Sequence, residues 1–297
     1  MILLTGASGF IGKHLVSEIV NIYGRNGVVA LTSNPIDECP YIIHNQYNFD
    51  SRVFKTYGYA DSISTIIHAG AFTPKNSSEA NDLKNCNQNI YNLDKLLNTD
   101  LPNLKKIIYL STLDVYGNSE IISEDSSINP LSLYGYSKLY GEKLVEWWAK
   151  SVGVTSQVLR IGHVYGPGED AYQKIIPVTM KKLLFHEPIE IWGDGSDLRA
   201  FIYIKDIITA ILNSILLKVD TGPINLVSNN SISIKKLVEQ IVNISGLKSE
   251  IKQLPRRADP RSLRFNNDRM RKYLLPSEKP LSEGLSNEWD YMRKKFS

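Results

Sequence analysis

Cysteine is scarce in this chain: two residues in 297, Cys39 and Cys86, with no Cys-x-x-Cys. That excludes a disulfide scaffold and a cysteine-based zinc ribbon, no metal is expected, and the natural setting is a reducing cytoplasm. Long apolar runs are missing too. No stretch approaches the ~18 apolar residues of a membrane span, and the opening Met1-Ile2-Leu3-Leu4-Thr5-Gly6 is too short for the core of a signal peptide. A soluble, unprocessed protein without membrane insertion is the expectation. Internal repeats and low-complexity linkers are absent. Net charge is only +3, and no zinc-finger or RNA-binding signature accompanies the basic residues, so nucleic acid has no support as a partner.

What is present is a hydrophobic fraction of 42%, enough for one large core or two modest ones and incompatible with disorder or collagen-like structure. Tyrosine is abundant, 16 residues against 8 phenylalanines, which puts phenols where many proteins carry plain rings. Charge is unevenly placed: Lys248–Ser297 holds 13 basic and 7 acidic residues. Such a run is ordinarily a solvated face, and it would also suit an anionic small molecule.

Short β-rich apolar runs alternate with helical patterns through the first half. Strands are expected at Ile2–Leu4, Val28–Leu31, Tyr41–His44, Thr65–His68, Lys106–Leu110 and Ser156–Arg160. Helices are expected at Ile11–Ile22, Glu79–Asn98 and Tyr134–Val152. Buried strands separated by helices mean βαβ crossovers, hence an α/β fold of Rossmann type, a doubly wound parallel sheet. After Arg160 the rhythm loosens, with turns at Gly166-Pro167-Gly168 and Gly193-Asp194-Gly195. Helices are expected at Lys174–Phe185, Lys205–Leu217, Ser233–Ile244 (with Gly246 as its C-cap) and Glu283–Lys295. This half reads as a smaller mixed α/β substrate-binding region.

Thr5-Gly6-Ala7-Ser8-Gly9-Phe10-Ile11-Gly12 follows the first strand and opens the first helix. Glycines at G-x-x-G-x-x-G permit a tight turn, close backbone approach to a pyrophosphate and close helix-to-strand packing, with the helix N-terminus facing the anion. Gly6, Ser8, Gly9, Phe10, Ile11 and Gly12 are therefore the candidate dinucleotide contacts; an ordinary βα turn is the plain alternative. At the end of the second strand an acid would hold the ribose of NAD and an arginine the phosphate of NADP. The chain has Ser33-Asn34 and neither, so either cofactor fits, and the missing acid tips the expectation toward NADP. Asp50 is either an adenine contact or a helix N-cap.

Tyr-x-x-x-Lys puts a phenol and an ammonium one helical turn apart. The cation favours the phenolate, and drawing a phenol from about 10 toward 7 takes roughly 4 kcal/mol, giving an acid/base poised at working pH. Three pairs match: Tyr91/Lys95, Tyr134/Lys138 and Tyr291/Lys295. Position singles out Tyr134/Lys138, which follows the strand ending at Ser111-Thr112, the sheet edge where open parallel sheets bind ligands. Trp147, Trp148, Tyr136 and Tyr140 ride the same helix as core or interface rings.

These blocks, together with His68-Ala69-Gly70-Ala71, Ser111-Thr112-Leu113-Asp114-Val115-Tyr116-Gly117, Tyr134-Gly135-Tyr136-Ser137-Lys138, Leu159-Arg160-Ile161-Gly162-His163-Val164-Tyr165-Gly166-Pro167-Gly168 and the run from Gly193 to Tyr203, resemble the extended short-chain dehydrogenase/reductase family, specifically its nucleotide-sugar epimerases, dehydratases and reductases. The resemblance implies that Tyr134 exchanges a proton with a sugar oxygen while hydride moves between that carbon and nicotinamide. Thr112 would hydrogen-bond the oxygen, and Lys138 would also hold the nicotinamide ribose. Ala69, Gly70 and Ala71 would line the cofactor. The family's helical Asn falls near Asn87, with Asn85 and Asn89 as alternative registers. Arg199, and Arg256 in Arg256-Arg257-Ala258-Asp259, would clamp the substrate diphosphate. His163 would either donate to a phosphate or be a satisfied structural group.

Residues 1–165 plus about 197–227 would bind the cofactor, and about 166–196 plus 228–297 the nucleoside-diphosphate sugar. A homodimer through the Glu79–Asn98 and Tyr134–Val152 helices and a place in cell-surface polysaccharide biosynthesis are further implications. Leu113 stands where 4,6-dehydratases of the family carry an acidic or polar residue, and Asp114 where they carry Glu, which disfavours dehydration. The readings that stay open are a 4-keto-sugar reductase, preferred, a 4-epimerase, and, from another class, a non-catalytic dinucleotide sensor.

Overall fold

The computed structural model describes residues 1–76, 78–256 and 262–296. In chain order the elements are β1 (Ile2–Thr5), α1 (Phe10–Tyr23), β2 (Val28–Thr32), β3 (Tyr41–Ile43), α2 (Val53–Thr56), β4 (Thr65–His68), α3 (Leu83–Leu97), β5 (Lys106–Thr112), α4 (Leu133–Val152), β6 (Thr155–Ile161), β7 (His163–Tyr165), α5 (Ile175–Leu184), β8 (Ile189–Trp192), β9 (Leu198–Tyr203), α6 (Ile204–Leu216), β10 (Ile224–Leu226), β11 (Ser231–Ser233), α7 (Ile234–Ser245), β12 (Ile251–Leu254), α8 (Asp268–Tyr273) and α9 (Leu281–Phe296). Every strand and helix expected from the sequence is there. The ends move by a residue or two, except that α3 starts at Leu83 after a short 3-10 turn at Glu79–Asn81.

The chain divides into two compact units. The first comprises residues 1–117, 127–161 and 208–225. Its sheet has the strand order β10-β6-β5-β4-β1-β2-β3, and the pairs β1–β2, β1–β4, β2–β3, β4–β5 and β5–β6 are all parallel. Read from β3, this is the 3-2-1-4-5-6 order of a doubly wound Rossmann sheet, in which the order reverses between β1 and β4. Strands β1, β2, β4 and β5 are buried along their whole length, the pattern of a sheet covered on both faces. Under β5, Lys106 is buried and its ammonium donates to the carbonyls of Ser214, Ile215 and Leu217, closing the C-terminal turn of α6. A cation there satisfies carbonyls that have no helical partner.

The second unit comprises residues 118–126, 162–207 and 226–297. It holds a three-stranded sheet, β11-β9-β7, and a parallel pair, β12-β8. Gly246 caps α7 in the left-handed conformation, φ 68°, as expected. Among the described residues no helix is long and apolar enough to cross a membrane, and no cluster of His, Cys, Asp and Glu could hold a metal ion.

On α9, Glu288 is 1% exposed and neither carboxylate oxygen has a hydrogen-bond partner. Burial, and then the neighbouring Glu169 and Asp170 carboxylates, push its acid up to about 9 from an ordinary 4.5. The folded protein thus keeps a proton that the unfolded chain releases. The stability this contributes is full below pH 4.5 and is lost as pH rises through the folded value, by up to ~1.4 kcal/mol per pH unit. Glu288→Gln should flatten that slope. Melting temperatures of both proteins between pH 5 and 9 check it, and parallel curves would contradict it.

Candidate active site

The glycine turn lies at the switch point of the first unit's sheet. Gly6 has φ +72°, and a Cβ there would stand 2.6 Å from the backbone of Gly70 at the end of β4. At Gly12 a Cβ would stand 2.0 Å from the Gly6 carbonyl. The chain therefore needs glycine at both positions, for the left-handed turn and for the approach of α1 to β1. The amide of Gly9 donates to Gly6 O at 3.0 Å, and Gly9 caps α1 with no side-chain acceptor, which leaves the amide-lined helix start available to an anion. Ser8, Phe10 and Ile11 belong to this turn. The Thr5 hydroxyl accepts from Gly70 N at 3.0 Å and hydrogen-bonds His68 Nδ1 at 2.8 Å, fastening the ends of β1 and β4 together. Ala69, Gly70 and Ala71 follow at the same edge, all half-buried. These residues fit a dinucleotide pyrophosphate.

Ser33 and Asn34 are exposed after β2 and hydrogen-bond each other at 3.2 Å. Asp50 is exposed, and its carboxylate accepts from Arg52 N at 2.8 Å in a local turn; the N-cap of α2 is Arg52, with no side-chain cap, so Asp50 is not the helix cap weighed as the alternative to an adenine contact. Asn87 points outward, whereas Asn89 is 5% exposed, accepts from Phe72 N at 2.7 Å and donates toward Ser137. Of the three registers, Asn89 is the one turned inward.

Ser132 caps α4 by accepting from Gly135 N, and Gly153 ends the helix in the left-handed conformation. The buried stripe between them is Tyr134, Lys138, Gly141, Glu142, Val145 and Ala149, so three ionisable side chains share the core-facing side at four-residue spacing. A Cβ on Gly135 would stand 2.4 Å from the Asp114 carbonyl; glycine there lets α4 come down on the turn after β5. Tyr134 is 7% exposed, and the Thr73 and Thr112 side chains beside its phenol oppose the effect of burial on it. Leu113 is buried, while Asp114 is exposed and donates its amide to Thr112 Oγ1 at 3.2 Å.

The other two Tyr-x-x-x-Lys pairs have different fates. Lys95 sits 5.5 Å from the ring centroid of a half-exposed Tyr91. Tyr291 and Lys295 both bind the Asp170 carboxylate, at 3.0 and 2.7 Å.

One expectation is corrected by burial. Lys138 was expected to draw the Tyr134 phenol down toward neutrality. Instead burial, then the Asp114 charge, hold it well above the usual tyrosine range, with the Thr73 and Thr112 side chains opposing. Burial likewise pushes the Lys138 ammonium down to about 7, against the pull of Glu142. Tyr134 is thus a protonated donor in the free protein.

Glu142 and Thr73 were not among the expected residues. Glu142 lies eight positions after Tyr134, a spacing that returns to the same helix face. It is fully buried and receives Arg160 in a two-point pair, Nε to Oε1 at 3.0 Å and Nη2 to Oε2 at 2.7 Å, plus the Ser111 hydroxyl at 2.6 Å.

In the second unit, His163 starts β7 with its ring 6.0 Å from Phe201, and Arg199 lies on β9 with Nη1 donating to Leu198 O. Arg256 is committed to the carboxylates of Asp197 and Asp194, at 2.9 and 2.7 Å. Its charge is therefore already balanced, which competes with the diphosphate clamp expected of it. Arg257, Ala258 and Asp259 of that expected stretch lie outside the described residues.

Known proteins resemble the whole arrangement. A profile of the NAD dependent epimerase/dehydratase family matches residues 2–226. An uncharacterized UDP-glucose epimerase of Bacillus subtilis, YtcB, is 31% identical over 98% of this chain and 97% of its own. The dTDP-4-dehydro-6-deoxyglucose reductase of Escherichia coli is 32% identical over 81% and 80%. A dTDP-D-glucose 4,6-dehydratase of Dictyostelium discoideum is 30% identical over 82% of this chain, which spans 62% of that protein's length. The crystal structure of UDP-glucuronic acid 4-epimerase from Bacillus cereus, in complex with UDP-glucuronic acid and NAD, superposes with a TM-score of 0.85 at 27% identity, covering 99% of each chain.

Removing the Glu142 carboxylate leaves the buried Arg160 unpaired, which typically costs about 3–5 kcal/mol. Urea unfolding of Glu142→Leu should show a loss of that size, and an unchanged midpoint would contradict the pairing.

Proposed function

The chain belongs to the NAD-dependent epimerase/dehydratase family and is an enzyme, and from that premise we propose that it moves a hydride to C4 of a nucleoside-diphosphate sugar, as a 4-keto-sugar reductase. The observation that carries this is the Tyr134 phenol, buried beside Thr112 of β5 and one helical turn from Lys138, with burial holding it in its protonated form. A protonated phenol is the state required to give a proton to a ketone oxygen as hydride arrives. A bound nicotinamide would supply that hydride, its pyrophosphate held by Gly6, Gly9 and Gly12 and the start of α1. Thr112 would orient the sugar oxygen, and Lys138 would favour the phenolate left after proton transfer. The absence of an acid at Ser33-Asn34 supports NADP over NAD.

Substrate recognition is assigned to residues 166–196 and 228–297, with Arg199 and His163 as diphosphate contacts. A 4-epimerase is the second reading: it needs the same three side chains, the Bacillus cereus enzyme is named a 4-epimerase, and YtcB is named an uncharacterized UDP-glucose epimerase. Dehydration is less favoured, because Leu113 cannot move a proton.

The exposed apolar residues Leu83 and Tyr91 of α3, and Tyr136, Tyr140 and Trp147 of α4, support a homodimer through these helices. Trp147 is 70% exposed, and light scattering on Trp147→Asp should report a shift toward monomer. A wild-type protein that is already monomeric would remove the proposal.

Tyr134→Phe should lose turnover by about 10²–10⁴-fold, the usual worth of a positioned acid, while binding its cofactor unchanged. Full turnover would refute the assigned acid. The cofactor released from purified protein by denaturation separates the two readings: retained NAD favours the epimerase, and an empty protein that binds NADPH favours the reductase.

A further inference from the structure

Tyr109 lies on β5, three residues before Thr112, and has no part in the reading above. It is 1% exposed. Its ring is stacked on the His68 imidazole, with centroids 5.7 Å apart and an interplanar angle of 15°, and the Lys138 ammonium lies over it, Nζ 4.2 Å from the centroid. The helix is shaped for this contact. A Cβ at Gly141 would stand 2.2 Å from Tyr109 Oη, so only a glycine lets α4 descend far enough to lay Lys138 on the ring.

The surroundings of Lys138 show why the ring matters. The lysine is 2% exposed, and among the described residues no carboxylate lies within ion-pair distance of it. Glu142, one turn further along α4, spends its oxygens on Arg160 and Ser111. His68 brings no counter-charge: burial, and then the Lys138 charge itself, hold it down to about 3, so it is neutral. Tyr134, on the same stripe, is neutral as well. Beside the Coulombic pull of Glu142, the negative face of the Tyr109 ring is the group that meets the buried ammonium directly, 4.2 Å from its centroid.

We propose that Tyr109 is a positioning residue, whose ring face seats the Lys138 ammonium and keeps it charged one turn from Tyr134. The inference rests on the Tyr134–Lys138 reading of the reaction. Burial alone drives a lysine toward its neutral form, and a neutral lysine gives no help to a forming phenolate. Cation–π attraction works the other way, because it stabilises only the protonated state. Weakening the face should therefore lower the Lys138 titration further.

The test uses the full chain labelled with lysine carrying ¹³C at Cε, with the Lys138 signal identified by its loss in Lys138→Met. In the unmodified protein the Lys138 ε-protons should be shifted upfield of the other lysines by the Tyr109 ring current. Tyr109→Phe keeps the face and should titrate at Lys138 as the wild type does. Replacing Tyr109 by 3,4,5-trifluorophenylalanine keeps the shape and withdraws charge from the face. That protein should show the Lys138 midpoint lowered by about one pH unit, a tenfold change in proton dissociation, with the alkaline limb of NADPH-dependent turnover moving alike.

An unshifted midpoint in the fluorinated protein, or ε-protons without a ring-current shift in the wild type, overturns the role of Tyr109. Full turnover by Lys138→Met would instead overturn the Tyr134–Lys138 reading, whatever the titration shows, so the two failures are distinguishable.

Discussion

Glu142 and Arg160 form the contact on which the candidate site depends. A carboxylate with no solvent exposure is tolerable only when its charge and its lone pairs are met, and here a two-point arginine and the Ser111 hydroxyl meet them. The arginine in turn donates to Tyr116 Oη at 2.6 Å, which donates to Asn225 at 2.9 Å. One chain of polar contacts thus ties α4 to β5, β6 and β10 and fixes how deep the helix lies. Lys138 and Tyr134, one and two turns before Glu142, inherit that depth. Ser111 answers the carboxylate, so the same pairing that anchors the helix sets the register of Tyr134 beside the neighbouring Thr112.

Depth has an electrostatic consequence. Taking the phenol and the ammonium out of water raises one and lowers the other, so both groups move toward their neutral forms. A site built this way rests with its acid loaded, and its cation close enough to balance to be controlled by what touches it. The sheet supplies the remaining constraint. Because the strand order reverses between β1 and β4, Gly6 and Gly70 meet at the switch point, and a dinucleotide held there would lie on the edge that carries Ser111 and Thr112.

The parallel sheet was legible in the sequence because its strands are buried on both faces and read as unbroken apolar runs such as Ile107-Ile108-Tyr109-Leu110. The second unit was harder to read. Strand β8 alternates buried with exposed residues, β12 is mostly exposed, and β7 and β11 have three residues each, so none stands out from a loop. The need for glycine at Gly6 and Gly12 was legible because the turn spacing states it, and the structure leaves no room for a Cβ at either; Tyr134 and Lys138 were singled out by their spacing, and Thr112 by family resemblance. Glu142 was visible in principle from its eight-residue separation from Tyr134. The stack of Tyr109 on His68 was not, since it joins two strands that only the folded sheet makes neighbours, and the raised Tyr134 phenol was not either, since burial is a tertiary property that no motif records.

Family membership leaves the sugar chemistry to be decided by the site, because reductases, epimerases and dehydratases all stand at about 30% identity to this chain. The decisive quantity is where the hydride goes. Protein incubated with dTDP-4-dehydro-6-deoxyglucose, or its UDP counterpart, and nicotinamide cofactor dideuterated at C4 should yield a nucleotide sugar one mass unit heavier than that formed with unlabelled cofactor, with the deuterium at sugar C4. Deuterium that remains wholly on the nicotinamide, with every nucleoside-diphosphate 4-keto sugar offered, would contradict the account.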